Sequence, residues 1–176
     1  MNHPLDKFHY CPVCGSPEFE VNNFKSKKCR ACGFTYYLNP SAATVAVITA
    51  AEKLSTSLLV VRRKKEPAKG TLDLPGGFSD MGETSEEGVA REVLEETGLH
   101  VTRTEFLFSL PNRYVYSGLE IPTMDMFYRC EVSNAAEAHA MDDAEDCFWI
   151  PFSQLNPDDF GLESIRHGIQ KLLAEF

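Results

Sequence analysis

The sequence predicts a mixed α/β (α+β) domain preceded by a small module held by cysteines. Three observations point there. Two C-x-x-C pairs crowd the first fifth of the chain, β-like runs then interleave with a helical stretch, and the chain closes on an amphipathic tail. At 176 residues, 43% hydrophobic and 24% charged, the chain has apolar material for one ordinary domain plus an appendage. The longest nearly apolar stretch, Ala42 to Ala51, has ten residues and two threonines, too short for a bilayer. The opening MNHPLDKFHY contains no apolar run of the kind a secretory signal needs, so the expectation is a cytoplasmic protein with no membrane partner. With 26 acidic against 17 basic side chains the net charge is −9, which argues against nucleic acid as the main partner, because phosphate contacts need a net basic face.

The first element is the cysteine module. Cys11-Pro12-Val13-Cys14-Gly15 and Cys29-Arg30-Ala31-Cys32-Gly33 lie fourteen residues apart. Two residues between cysteines let both sulfurs reach one ion from a tight turn, and two such turns complete a tetrahedron, so the pattern predicts a structural Zn²⁺. Four sulfurs leave no open position for a substrate, and the zinc's role is to stabilise a segment too small to fold by burial alone. Two disulfides are the alternative, disfavoured where no signal directs the chain to an oxidising compartment. Lys25, Lys27, Lys28 and Arg30 form a basic cluster expected to be a solvated face. Pro40 marks the boundary, giving a zinc ribbon over 1–38 and a second domain over 39–176.

After it, Ala43 to Thr49 and Ser57 to Val61 read as strands, separated by the polar Glu52–Thr56. Leu72 to Phe78 reads as a short strand running into a glycine-rich loop, and Thr84 to Thr97 as a helix. Alternating runs over Thr104–Ser109, Arg113–Tyr116 and Thr123–Val132 predict three strands, and Phe148–Pro151 a fourth. Ile165, Ile169, Leu172 and Leu173 recur at helical spacing in the tail from Leu162 to Phe176. Cys130 and Cys147 read as small buried apolar residues.

The helix over 84–97 carries most of the information. Thr84-Ser85-Glu86-Glu87 has the form of a capping box, and Gly98 suits the left-handed position that ends a helix. Val89, Ala90, Val93, Leu94 and Thr97 form the core-facing side, while Gly88, Glu92, Glu95 and Glu96 gather on another. Gly88 leaves a bare patch one turn before Glu92 for something bulky to approach. Glu92, Glu95 and Glu96 are like charges at i, i+3 and i+4, in the turns where the helix dipole disfavours them. Each conflict costs only a few tenths of a kcal/mol, about 0.2–0.5, so a solvated acidic face and a divalent-cation site both remain open on spacing alone.

From Gly77 the chain reads glycine, five residues, Glu83, seven residues, then Arg91-Glu92-Val93-Leu94-Glu95-Glu96-Thr97-Gly98-Leu99. This resembles the Nudix box, with every defined position filled across 23 residues. Leu74-Pro75-Gly76-Gly77 and Trp149-Ile150-Pro151 also resemble features of that family. The resemblance implies an α/β/α sandwich with a mixed sheet. It implies hydrolysis of a nucleoside diphosphate linked to another group, with Mg²⁺ or Mn²⁺ as cofactor. Glu92, Glu95 and Glu96 would be metal ligands and Glu83 would reach the metal from the loop. Arg91 would pair with a box glutamate and orient it. The general base varies in the family; Glu145, in the acidic loop Asp142–Asp146, is one candidate, and a solvated loop is the alternative.

A four-cysteine module ahead of such a domain is similar to the NADH pyrophosphatases, which carry S-Q-P-W-P-F-P-x-S after the box. Here that region reads Ser109-Leu110-Pro111-Asn112-Arg113-Tyr114-Val115-Tyr116-Ser117, without the tryptophan and two of the prolines. NAD(H), ADP-ribose or a related ADP-linked compound is thus the expected small-molecule partner, and a homodimer stays open. Tyr114, Phe106 or Phe127 is a candidate to stack on a base, and Arg62 to meet a phosphate, in the run Arg62-Arg63-Lys64-Lys65. The alternative function is a ligand sensor or interaction module rather than a catalyst.

Overall fold

The computed structural model describes residues 3–51 and 56–175, so most of the polar Glu52–Thr56 stretch lies outside the described residues. The chain divides into two compact units, Met1–Pro40 and Ser41–Phe176.

In the first unit, β1 (Phe19–Asn23), β2 (Ser26–Cys29) and β3 (Thr35–Tyr37) form an antiparallel sheet. Cys11, Phe19 and Cys29 are buried, with Phe8, Phe34 and Tyr36 packed against them. So small a core calls for a further staple. The basic cluster does not form one solvated face. Strand alternation turns Lys27 inward, where it is 7% exposed and donates to the Phe8 carbonyl at 2.8 Å. Arg30 is paired with Glu20 at 2.6 Å.

The second unit contains β4 (Ser41–Val47), β5 (Thr49–Ala51), β6 (Thr56–Arg63), β7 (Leu72–Asp73), β8 (Gly76–Phe78), α1 (Ser85–Thr97), β9 (Val101–Tyr116), β10 (Leu119–Val132), β11 (Ala144–Pro151) and α2 (Glu163–Glu175). One sheet has the order β8-β4-β10-β9, with β4 and β10 parallel and the other pairs antiparallel. The other has the order β11-β6-β5, with β7 on β6, and all its pairs are antiparallel. A backbone bond from Leu59 N–H to Ile48 O runs across between β6 and the residue after β4. Alternate strand residues face opposite ways. Val45, Val47, Leu58, Val60 and Phe127 pack with Ile165, Ile169 and Leu172 of α2, whereas Ala46, Ile48, Leu59 and Tyr128 pack with Val89 and Val93 of α1. The result is the α/β/α sandwich with a mixed sheet that the sequence predicts.

Two differences from the sequence reading have local causes. The two runs over 104–109 and 113–116 are a single 16-residue strand, β9, in which Pro111 opposes Met124. Among the described residues β9 has a neighbour on one side only, where a proline without an N–H is tolerated. The acidic loop over 142–146 is partly strand. Ala144 opposes Arg63 and Asp146 opposes Arg62, which leaves Glu145 as the extra residue of a β-bulge.

Candidate functional site

Helix α1 starts and stops where its local chemistry dictates. Glu87 N–H donates to Thr84 Oγ1 at 3.2 Å, and Thr84 N–H to the Glu87 carboxylate at 2.8 Å, closing the capping box. At the other end Gly98 has φ +71° and its N–H bonds Leu94 O. The segment after β10 finishes the job, since His139 N–H donates to Thr97 O and Met141 N–H to Glu96 O. The helix is thereby fixed at both ends, and its glutamates with it.

Those glutamates meet the loop around β8. A Cβ at Gly77 would lie 2.6 Å from the Glu92 carboxylate, so only glycine lets the strand pass this close. Gly76 N–H donates to Glu96 Oε2 at 3.1 Å. The bare patch at Gly88 is filled by Glu83, whose Oε1 would be 2.9 Å from a Cβ there. Arg91 ties the group together. It grips Glu83 through Nε (3.1 Å) and Nη2 (2.8 Å), and donates from Nη1 to Glu92 (2.8 Å) and Glu95 (3.1 Å). A fifth bond reaches Phe78 O at 3.1 Å.

The electrostatics separate these acids. The Arg91 hydrogen bonds hold Glu83 below the usual carboxylate range. Burial raises Glu92, against the pull of Arg91, and pushes Glu96 up to about 8. Glu95 is half-exposed. Two largely buried carboxyl groups side by side on one helix face, Glu92 and Glu96, are a donor set suited to a hard divalent ion.

Glu92 and Glu96 line a cleft of about 460 Å³ together with Arg63, Lys64 and Lys65. Arg63 is largely buried, bonded to Asp73 at 2.5 Å, to Pro67 O at 2.7 Å and to the Tyr114 hydroxyl at 3.3 Å. Lys65 pairs with Asp143. Tyr114 lines the cleft, edge-on to Phe78. Arg62 does not line it. Strand alternation puts Arg62 on the row of Leu58 and Val60, where it lies over Phe148 and donates to Gly70 O, and puts Arg63 on the row of Leu59 and Val61, facing α1. That period-two signal was present in the sequence. Phe127 is fully buried against Phe108 and Phe106 is half-exposed against Tyr128, so neither borders the cleft, and Glu145 is also absent from its lining.

In the first unit the Sγ atoms of Cys11, Cys14, Cys29 and Cys32 all lie within 4.8 Å of one another. Cys11–Cys32 is 3.7 Å and Cys14–Cys29 3.6 Å. Sulfurs about 2.3 Å from a central ion form a tetrahedron with edges of about 3.8 Å, so the four are compatible with one zinc. The Cys32 backbone N–H favours the Cys29 thiolate, while the neighbouring thiols of Cys32, Cys29 and Cys11 push Cys14 the other way. Cys130 and Cys147 lie elsewhere, and burial pushes them up to about 12 and about 11. Among the described residues no helix is long and apolar enough to cross a membrane.

Known proteins resemble this chain in sequence and in fold. An ADP-ribose pyrophosphatase from Methanocaldococcus jannaschii is 46% identical over 66 residues, 38% of this chain and 37% of that protein. An NAD-capped RNA hydrolase NudC from Pseudomonas putida is 22% identical over 165 residues, 94% of this chain and 56% of that protein. The chain thus spans from over a third to just over half the length of these two relatives. The crystal structure of a NUDIX hydrolase from Nitrosomonas europaea has a TM-score of 0.72 at 19% identity, covering 94% of this chain and 90% of that one, which shows a shared fold. The NUDIX domain model matches residues 39–172, from the start of the second unit into α2, and with it the chain belongs to the NUDIX family.

Proposed function

We propose that this chain hydrolyses the pyrophosphate bond of a nucleoside diphosphate linked to another group, with NAD(H), ADP-ribose or a related ADP-linked compound as the substrate class. One observation carries the reading: a single cleft is lined both by the carboxylates of Glu92 and Glu96 and by Arg63, Lys64 and Lys65. An anionic diphosphate cannot lie on bare carboxylates, so that wall calls for cations. Glu92, Glu95 and Glu96, with Glu83 from the loop, would hold Mg²⁺ or Mn²⁺. Held by these residues, such an ion would supply positive charge for the diphosphate and a more acidic water. Arg91 is the positioning residue, fixing Glu83, Glu92 and Glu95 at once. The basic side chains of the cleft hold the phosphates, with Arg63 in the place expected of Arg62, and Tyr114 borders the base. Cys11, Cys14, Cys29 and Cys32 hold a structural Zn²⁺, which suits a reducing, cytoplasmic setting.

The names of the two relatives support the ADP-linked class. The test is to incubate the full chain with NADH, ADP-ribose, ADP-sugars and nucleoside triphosphates, with and without Mg²⁺, and to separate the products. Metal-dependent release of AMP from an ADP-linked compound is the expected result. Binding without cleavage of any of them would replace this reading with that of a ligand sensor.

A further inference from the structure

We propose that the cavity behind Gly76–Phe78, on the α2 side of the sheet, receives the NH₂-bearing edge of a planar heteroaromatic ring, either an aminopurine or a ring carboxamide. This rests on the diphosphate reading above, because it seats one end of that substrate. The cavity holds about 90 Å³ and shares Arg63, Phe78 and Tyr114 with the cleft. Ligand pockets for whole small molecules run to about 300–1,000 Å³, so this one takes the edge of a ring, with the rest of the ligand leaving toward the cleft.

Its walls are apolar, from Val45, Leu74, Leu162 and Ile165, and among its polar side chains, which include Thr44, Arg63, Asp73 and Thr123, Asn112 and Asp125 form a bonded pair. Asp125 is 4% exposed and accepts from Thr123 Oγ1 (2.5 Å), Ser164 Oγ (2.5 Å) and Asn112 Nδ2 (3.1 Å). A carboxylate has about four acceptor sites, so one is left over. Asn112 is 6% exposed, and with Nδ2 committed to Asp125 its Oδ1 accepts no bond from the described residues. Flipping the amide would set its carbonyl against the carboxylate, so the orientation is fixed with the acceptor free. Arg63, the neighbouring cation, already donates to Asp73, Pro67 O and Tyr114. Beside the second N–H of Asn112 Nδ2 and the Thr44 hydroxyl, the uncommitted groups of the cavity are therefore acceptors, which suit a ligand that brings donors. An exocyclic amine supplies two N–H bonds. A ring carbonyl or carboxylate in its place would face unpaired acceptors, a buried mismatch. The Phe78–Tyr114 pair, 5.3 Å apart and edge-on, gives the rim a flat aromatic surface.

The test is calorimetric titration of the full chain with AMP against IMP, and with nicotinamide mononucleotide against nicotinic acid mononucleotide. One pair should discriminate for the amine by at least about tenfold in Kd, and which pair does so identifies the ring. Asn112→Leu removes the free acceptor. Ala43→Leu fills the cavity from β4, beside Asp125, without removing any polar group, so it keeps the test valid if the first variant misfolds. Either should abolish the discrimination. Equal binding within both pairs, preference for the oxo or acid partner, or an Ala43→Leu variant that discriminates like the parent overturns the proposal. Discrimination in binding without cleavage of any diphosphate upholds this pocket and refutes the hydrolase; cleavage without discrimination does the reverse.

Discussion

Replacing Glu96 by glutamine should make the protein more stable and less active. Glu96 titrates at about 8 in the fold because it is buried, against 4.5 for an exposed glutamate. Below pH 4.5 both folded and unfolded chains carry the proton, and the group costs nothing. As the pH rises, the unfolded chain ionises while the fold resists, so stability is lost up to pH 8 and then levels off. At pH 7 this amounts to about 3 kcal/mol. Glutamine keeps a carbonyl for the Gly76 N–H and cannot ionise. Urea unfolding of parent and variant without added Mg²⁺ or Mn²⁺ should therefore coincide near pH 4 and diverge by about 3 kcal/mol at pH 7. Added Mg²⁺ should stabilise the parent and not the variant, which should also lose most of its turnover. A variant less stable than the parent at pH 7, or a gap that does not change with pH, would refute the reasoning.

Gly77→Ala should leave the unfolding midpoint nearly unchanged, because the atom in its way is the far end of the Glu92 side chain. Turnover should nonetheless fall by about 10²-fold, the cost of displacing a reacting group by about 1 Å. Metal analysis of gently purified protein should find one tightly bound zinc per chain, and Cys14→Ser should lose it. The variant should also lose the near-ultraviolet signal of Tyr36, which packs against the small core of the first unit; retention of zinc in Cys14→Ser would count against the ribbon.

The sequence made the local features legible and left the nonlocal ones out of reach. Helix α1 could be placed to the residue because its start and stop are written in Thr84, Glu87 and Gly98; of the side expected to face the core, Val89, Val93 and Thr97 are buried and Leu94 is exposed. The four cysteines were legible for the same reason, since short spacing fixes where their sulfurs go. The runs on either side of Pro111 read as separate strands, since a proline's meaning depends on whether its strand has one neighbour or two, which only the assembled sheet decides. Arg62 and Arg63 look alike until the facing of β6 is known, and that depends on which row meets α1. Asp125 gave no sign at all. Its three partners come from residues 112, 123 and 164, on two strands and a helix brought together only by folding.

The lone flank of β9 has one more consequence. A 16-residue strand with one side unpaired is a template on which another chain could build, and that is how sheets begin to aggregate. Pro111 lies inside that strand and has no N–H to offer an incoming chain. Arg103, Glu105 and Arg113 are exposed along the same strand and engage charges on β10. A newcomer would have to bury them and give up those pairs. Pro111, which separates the two runs in the sequence, thus joins these charges in keeping the outer rim of β9 from recruiting further strands when the protein is concentrated.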